Sequence, residues 1–185
     1  MDAERGIEME DVYLKKADPG DWQEIWHNLW CRPECARYML WNVTRSEEDA
    51  LARMERTIAY QREHPLSFFV YEKRTGKAIG FAGLIETEPG VFEDTGLALG
   101  PAFWGKGYGT QVVRANVEEA EAAGARKLIA SCREQNEASR ALQRKCGFVF
   151  THKEKRTDPR NGEPYVLEFS ELILRKRVIC TGIIV

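Results

Sequence analysis

The chain has 185 residues, 43% of them apolar, enough for one compact domain with a sizeable core. A formal net charge of −2 excludes a broad electrostatic footprint for nucleic acid and leaves room only for a local basic patch. No apolar run reaches membrane-spanning length, the acidic start MDAERGIEMEDV lacks the core of a secretory signal, and an odd five cysteines favour a reducing cytosol.

VYLKKA (residues 12–17) alternates weakly as a strand and leads into Asp18-Pro19, a helix start with proline at the first helical position. Trp22, Ile25, Trp26, Leu29 and Trp30 then recur at helical spacing, which predicts an amphipathic helix ending at Pro33 with its tryptophans in the core. Cys31 and Cys35 could share a helix face near His27. No second ligand pair stands at zinc spacing, so these thiols read as small buried hydrophobes and no metal is expected. Ser46 followed by Asp49 resembles a capping box and opens a second helix, with Leu51, Met54 and Ile58 on one face and His64-Pro65 as its end.

SFFVYEKRT (67–75), KAIGFAGLIETE (77–88) and VFEDTGLAL (91–99) read as three strands joined by turns at Thr75-Gly76 and Glu88-Pro89-Gly90. A glycine-rich loop and a long helix follow, with Val112, Val113, Val117 and Ala120 facing inward and Gly124 as the stop. RKLIASC (126–132) is a strand, Asn136 begins a short helix ended by Gly147, and FVFTHKEKR and EPYVLEFSELIL form a hairpin around residues 158–162. The order β-α-α-β-β-β-α-β-α-β-β implies an α+β fold. A three-strand meander followed by a βαβ crossover makes a mixed sheet covered by helices. Residues 1–177 are expected to form a single domain. The apolar tail VICTGIIV (178–185) reads as a last strand, a dimer contact or an expression remnant.

GPAFWGKGYGT (100–110) nearly completes two phosphate-binding signatures. Gly100, Gly105 and Lys106 fit a triphosphate loop, but Gly107 stands where magnesium needs a hydroxyl. Gly105 and Gly107 begin a dinucleotide fingerprint whose third glycine falls on Thr110. A strand, a glycine-rich turn and a helix in succession place backbone N–H groups at a helix N-terminus, which is an anion site by geometry and dipole. The loop suits a diphosphate held without metal, with Lys106 adding a charge. The plainer alternative is a turn that only starts a helix.

Taken together, LALGPAFWGKGYGTQVV and NEASRALQRKCGF resemble the acetyl-CoA-binding motifs of the GNAT N-acetyltransferases, most closely the RimJ/RimL-like branch that acetylates protein N-termini. The resemblance spans almost the whole chain. It implies a GNAT-like fold whose central sheet splays to admit acetyl-CoA. The family pattern Gln/Arg-x-x-Gly-x-Gly/Ala falls on Trp104, Gly107 and Gly109. It implies that backbone amides of Gly105, Lys106, Gly107, Tyr108, Gly109 and Thr110 cradle the CoA pyrophosphate, and that Leu97, Ala98 and Leu99 pair with pantetheine as an added strand would. Asn136 matches the asparagine that contacts pantetheine and is equally good as a helix N-cap. Lys145, in the same segment, is assigned to the CoA site. Trp104 replaces the usual Gln or Arg. Gln143 stands where many members carry a tyrosine acid, which leaves Ser139, one helical turn after Asn136, as the expected proton donor to the leaving thiolate.

The implied reaction is direct acetyl transfer to an amine, with a backbone N–H near Leu97 to Leu99 stabilising the oxyanion and a base deprotonating the ammonium. Glu93, Asp94 and Glu86 are the candidate bases, expected near the strand ends that face the loop. Each also reads as an ordinary solvated carboxylate. At pH 7 an α-amine is roughly 14% neutral and a lysine on the order of 0.04% neutral, which favours an α-amine acceptor. Tyr38 and Trp41, with Glu86, are assigned to the acceptor groove. No nucleic acid or membrane partner is expected, and the protein reads as a cytoplasmic monomer or homodimer. A non-catalytic acyl-CoA-binding module and, more remotely, a nucleotide triphosphatase are the alternatives.

Overall fold

The computed structural model describes residues 6–174, and the apolar tail 178–185 lies outside them. Eight strands form one sheet: β1 (Ile7–Glu8), β2 (Val12–Lys15), β3 (Ser67–Glu72), β4 (Ala78–Glu88), β5 (Val91–Leu99), β6 (Lys127–Arg133), β7 (Val149–Thr157) and β8 (Pro164–Ile173). Their order is β1-β2-β3-β4-β5-β6-β8-β7, antiparallel throughout except for the parallel β5–β6 pair. The mixed α+β sheet implied by the element order is therefore observed, with the two-residue β1 added.

Five helices cover the sheet: α1 (Trp22–Ile25), α2 (Pro33–Ala36), α3 (Glu47–Glu63), α4 (Tyr108–Ala122) and α5 (Glu137–Lys145). SFFVY is apolar at every position after its serine because β3 is buried on both faces. Phe68 and Val70 pack with Val112 and Ala115 of α4, whereas Phe69 and Tyr71 pack with Ile25, Trp30 and Met54.

Two local expectations change. The first helix is not one regular α-helix. It begins as a tight 3-10 turn (Pro19–Asp21) capped by Asp18 and ends as a π turn (Trp26–Trp30), in which the Cys31 N–H reaches back to the Trp26 carbonyl. Leu51 is solvent-exposed, because the inward stripe of α3 runs through Ala50, Met54 and Gln61 instead.

The sheet splays as the resemblance implied, and the register shows how. β5 and β6 pair only at Val91, Phe92 and Glu93, opposite Lys127, Leu128 and Ile129. On the other side of β5, Gly83 faces Gly96 but Leu84 faces Asp94, so Thr95 is an extra residue in a β-bulge. A bulge bends its strand. This one is built on Gly96 at φ +124, where a β-carbon would be strained, and the Gly96 N–H is held by Asp94 Oδ1 at 2.8 Å. Beyond it β5 stays on β4, while β6 follows β8 along its full length. The gap opens between them.

Candidate active site

A cavity of about 670 Å³ fills the gap between the diverging strands. At one end β5 stops at Leu99, and a short turn leads to Gly105 (φ +74) and Gly107 (φ +82), the residue that caps α4. Among the described residues, no protein acceptor takes the N–H groups of Gly105, Lys106, Gly107, Tyr108 or Gly109. A row of open amides at a helix N-terminus is what a diphosphate needs. Thr110 drops out of that row, since its N–H donates to the Gly107 carbonyl. Gly109 also has a packing role: a β-carbon there would stand 3.2 Å from Leu142 Cδ2 of α5. It lets two helices approach.

Below the loop lies an anchor that sequence reasoning missed. The Glu72 carboxylate, 1% exposed, accepts hydrogen bonds from the Tyr108 hydroxyl at 2.9 Å and from Thr75 at 2.8 Å. Burial alone would raise its pKa. Those two bonds, with the charges of Arg74 and Lys106, hold it below the ordinary carboxylate value. Lys106 Nζ lies 3.6 Å from Glu72, and Lys106 is absent from the cavity wall. The Lys106 side chain therefore lies towards Glu72 and off the cavity wall, while the backbone N–H groups of Lys106 and Tyr108 stay open at the loop.

The strand wall is open as well. The Gly100 N–H donates to the Ile79 carbonyl of β4, so ladder alternation turns the amides of Leu97 and Leu99 into the gap and that of Ala98 towards β4. Trp104, half-exposed on the wall, donates its indole N–H to the Leu99 carbonyl at 2.7 Å. The tryptophan thereby braces the strand end.

Across the gap, the Asn136 side chain accepts the Ser139 N–H as the N-cap of α5 and also lines the cavity. Gln143 is buried and donates to Ser139 Oγ at 3.3 Å. The Cys132 thiol of β6 lines the same wall, and burial pushes its pKa up, opposed by the nearby side chains of Ser139 and Gln143. Lys145 is exposed in the last turn of α5, outside the cavity wall.

The three carboxylates part company. Glu86 and Glu93 lie towards the β4–β5 turn, away from the glycine loop, because β5 runs from that turn to the loop. Glu86 Oε1 caps the turn by accepting the Gly90 N–H, and Glu93 sits in the paired stretch; neither lines the cavity. Asp94, at the bulge where the gap begins, does. Burial pushes its carboxyl up to about 6, opposed by the Gly96 N–H and reinforced by the Glu93 charge. Asn116 of α4 shares this cavity, 6% exposed, with its Oδ1 unpartnered.

At the remaining mouth, Tyr38 lines the cavity with the Arg37 guanidinium 5.0 Å over its ring. Trp41 does not line it; its ring packs under the Arg53 guanidinium at 4.4 Å. Arg160, in the β7–β8 turn, donates to the Ala36 and Trp41 carbonyls and forms a two-point pair with Asp158, which also holds Arg133. The hairpin is thereby tied across the mouth. His27, Cys31 and Cys35 form no metal cluster. Cys31 donates weakly to the His27 carbonyl and Cys35 to that of Leu99. No group of His, Cys, Asp or Glu among the described residues could hold a metal ion, and no helix there could cross a membrane.

An open amide row at a helix N-terminus, two unpaired strand amides beside a gap and a polar residue pair opposite them are groups that suit a CoA molecule. Residues 11–149 match the family model described as an acetyltransferase (GNAT) domain. Solved structures agree in fold. A putative ribosomal-protein-serine acetyltransferase from Vibrio cholerae is 19% identical over 94% of this chain and 100% of that one, with a TM-score of 0.80. The microcin C7 self-immunity acetyltransferase MccE, solved with acetyl-CoA and AMP, is 18% identical over 90% and 94%, with a TM-score of 0.78. RimL, a ribosomal L7/L12 α-N-protein acetyltransferase solved with coenzyme A in a cysteine disulfide, is 19% identical over 92% and 98%, with a TM-score of 0.77. The chain belongs to the GNAT acetyltransferases, enzymes whose acetyl donor is acetyl-CoA.

Proposed function

We propose that the protein is an Nα-acetyltransferase of the RimJ/RimL-like kind, working in the cytosol on the α-amine of a peptide or protein N-terminus. Asp94 on the cavity wall at the bulge supplies the base in this reading, and its carboxyl, pushed up to about 6, is ionised at neutral pH. The acceptors' own acidities favour the α-amine: an α-ammonium lies about 2.6 pKa units below a lysine ammonium, so it yields its proton to any such base roughly 400-fold more readily. The RimL and Vibrio cholerae structures, named for ribosomal proteins, lend the branch assignment its support.

In this reading Asp94 takes the proton from the ammonium, directly or through one water. The neutral amine attacks the thioester carbonyl, forming the C–N bond, and an amide of Leu97 or Leu99 donates to the oxyanion. The C–S bond then breaks: Ser139, oriented by Gln143, gives its proton to the thiolate, and the acetylated nitrogen loses its remaining extra proton to water, from which Ser139 regains one. The test is thiol release from acetyl-CoA with Ser- and Ala-initiated peptides, their Nα-blocked forms carrying an internal lysine, and free polyamines. Release only with the free α-amine supports the proposal; release only with lysine or polyamine overturns it.

A further inference from the structure

A second recess, of about 460 Å³, adjoins the mouth and shares Arg37 with the cavity. It is lined by Arg37, Arg45, Asn42 and Arg160 together with small apolar residues. Its own lining carries three arginines and no carboxylate. Asp158 is the carboxylate bound to Arg160, and it is shared with Arg133, so that triad keeps a net positive charge. Neither Arg37 nor Arg45 forms an ion pair among the described residues. The nearby acidic residues are otherwise placed: Glu47, Glu48 and Asp49 sit in the first turn of α3, where the helix dipole favours them, and Glu34 stands on the cavity wall. Arg160 spends its donors on Asp158 and on the Ala36 and Trp41 carbonyls, so it shapes the recess while Arg37 and Arg45 supply its open donors.

We propose that this recess is an anion subsite of the acceptor: the peptide whose α-amine reaches Asp94 carries acidic side chains just after its first residue, and these dock on Arg37 and Arg45. The inference rests on the Nα-acetyltransferase reading and adds the substrate class to it. Guanidiniums on a half-exposed recess are worth roughly three- to tenfold each towards a carboxylate. They also discriminate, since a basic peptide meets like charge.

The experiment compares kcat/KM for Ser-Asp-Glu, Ser-Ala-Ala and Ser-Lys-Lys peptides in the wild type, Arg45→Ala and Arg45→Glu. O-phosphoethanolamine is added as a small amine phosphate. The expected order is acidic over neutral by about tenfold or more, with basic last, and a preference that shrinks with added salt. Arg45→Ala should collapse the acidic-to-neutral ratio and Arg45→Glu should invert it. Calorimetric titration of the acidic peptide into CoA-loaded protein reads the same subsite without turnover. Arg45-dependent binding of a peptide that is never acetylated would uphold the recess and remove the Nα-acetyltransferase reading. Turnover indifferent to peptide charge, or a ratio unchanged by Arg45→Glu, overturns the recess and leaves that reading standing. Preference for O-phosphoethanolamine over every peptide overturns the peptide assignment in favour of a phosphate-bearing small molecule.

Discussion

The Tyr108 hydroxyl donates to Glu72 Oε1 at 2.9 Å, and through that bond a carboxylate buried on β3 holds the first residue of α4, the helix that the glycine loop opens. Tyr108→Phe keeps the ring but leaves the carboxylate one donor short. A hydrogen bond to a charged buried group contributes about 1.5–3 kcal/mol. The expected result is a lower melting temperature and a several-fold weaker Kd for CoA by calorimetry. Equal CoA affinity would mean that the anchor holds the core and not the loop.

Gly107 has open space around its α-carbon, so only its backbone angle restricts it. Gly107→Ala forces an L-residue to φ +82, at about 1–2 kcal/mol. CoA affinity should fall by about tenfold while the fold persists. Gly109→Ala, in contrast, pushes α5 and should lower stability as well as affinity, seen by comparing melting curves with and without CoA.

Asp94 makes two pH predictions. As the base, it must be ionised, so kcat/KM should fall about tenfold per pH unit below pH 6, and Asp94→Asn should remove that limb along with most of the rate. For stability, the folded pKa of about 6 lies above the unfolded ~3.9, so Asp94 favours the fold below about pH 4 and loses that contribution as pH rises through 6. Asp94→Asn should therefore match the wild type at pH 4 and melt higher at pH 7. A substitution that only loosened the bulge would melt lower at both.

Asp158 has the opposite sign. Hydrogen bonds from Arg160 and Arg133 hold its carboxyl far below the ordinary range, so its contribution is full above about pH 4 and lost as pH falls towards that depressed value. Asp158→Asn should lower the melting temperature at pH 7, with the difference shrinking as the sample is acidified. It should also free Arg160 from the hairpin side of the mouth.

Ser139→Ala removes the expected proton donor and keeps the cap, because Asn136 holds the backbone N–H of residue 139. Turnover should fall on the order of 10²-fold or more, with CoA affinity nearly unchanged. Gln143→Leu should give a smaller fall in kcat, because it only frees the Ser139 rotamer. Stopped turnover kinetics beside CoA calorimetry separates the two effects. An unchanged kcat in Ser139→Ala assigns the protonation to solvent.

Much of the candidate donor site was legible in the chain itself, because it is made of local backbone. The strand into Leu99, the glycines at 105 and 107 and the helix from Tyr108 follow one another in sequence, and so do the Asn136 cap and Ser139 one turn later. Short-range dihedral preferences and helix periodicity decide such features, and one sequence carries them in full. The choice among Glu86, Glu93 and Asp94 is different. It depends on which residue falls at the bulge opposite Gly83 and Leu84, a matter of register between strands. The direction of Lys106 depended on Glu72, 34 residues earlier by sequence number. The exclusion of Trp41 from the cavity depended on Arg53, and the closing of the mouth on Arg160 meeting Ala36 across 124 residues. Charges and aromatic rings take whatever partner the packed chain brings within a few ångströms. Such partners have no local signature, and only the tertiary structure decides them.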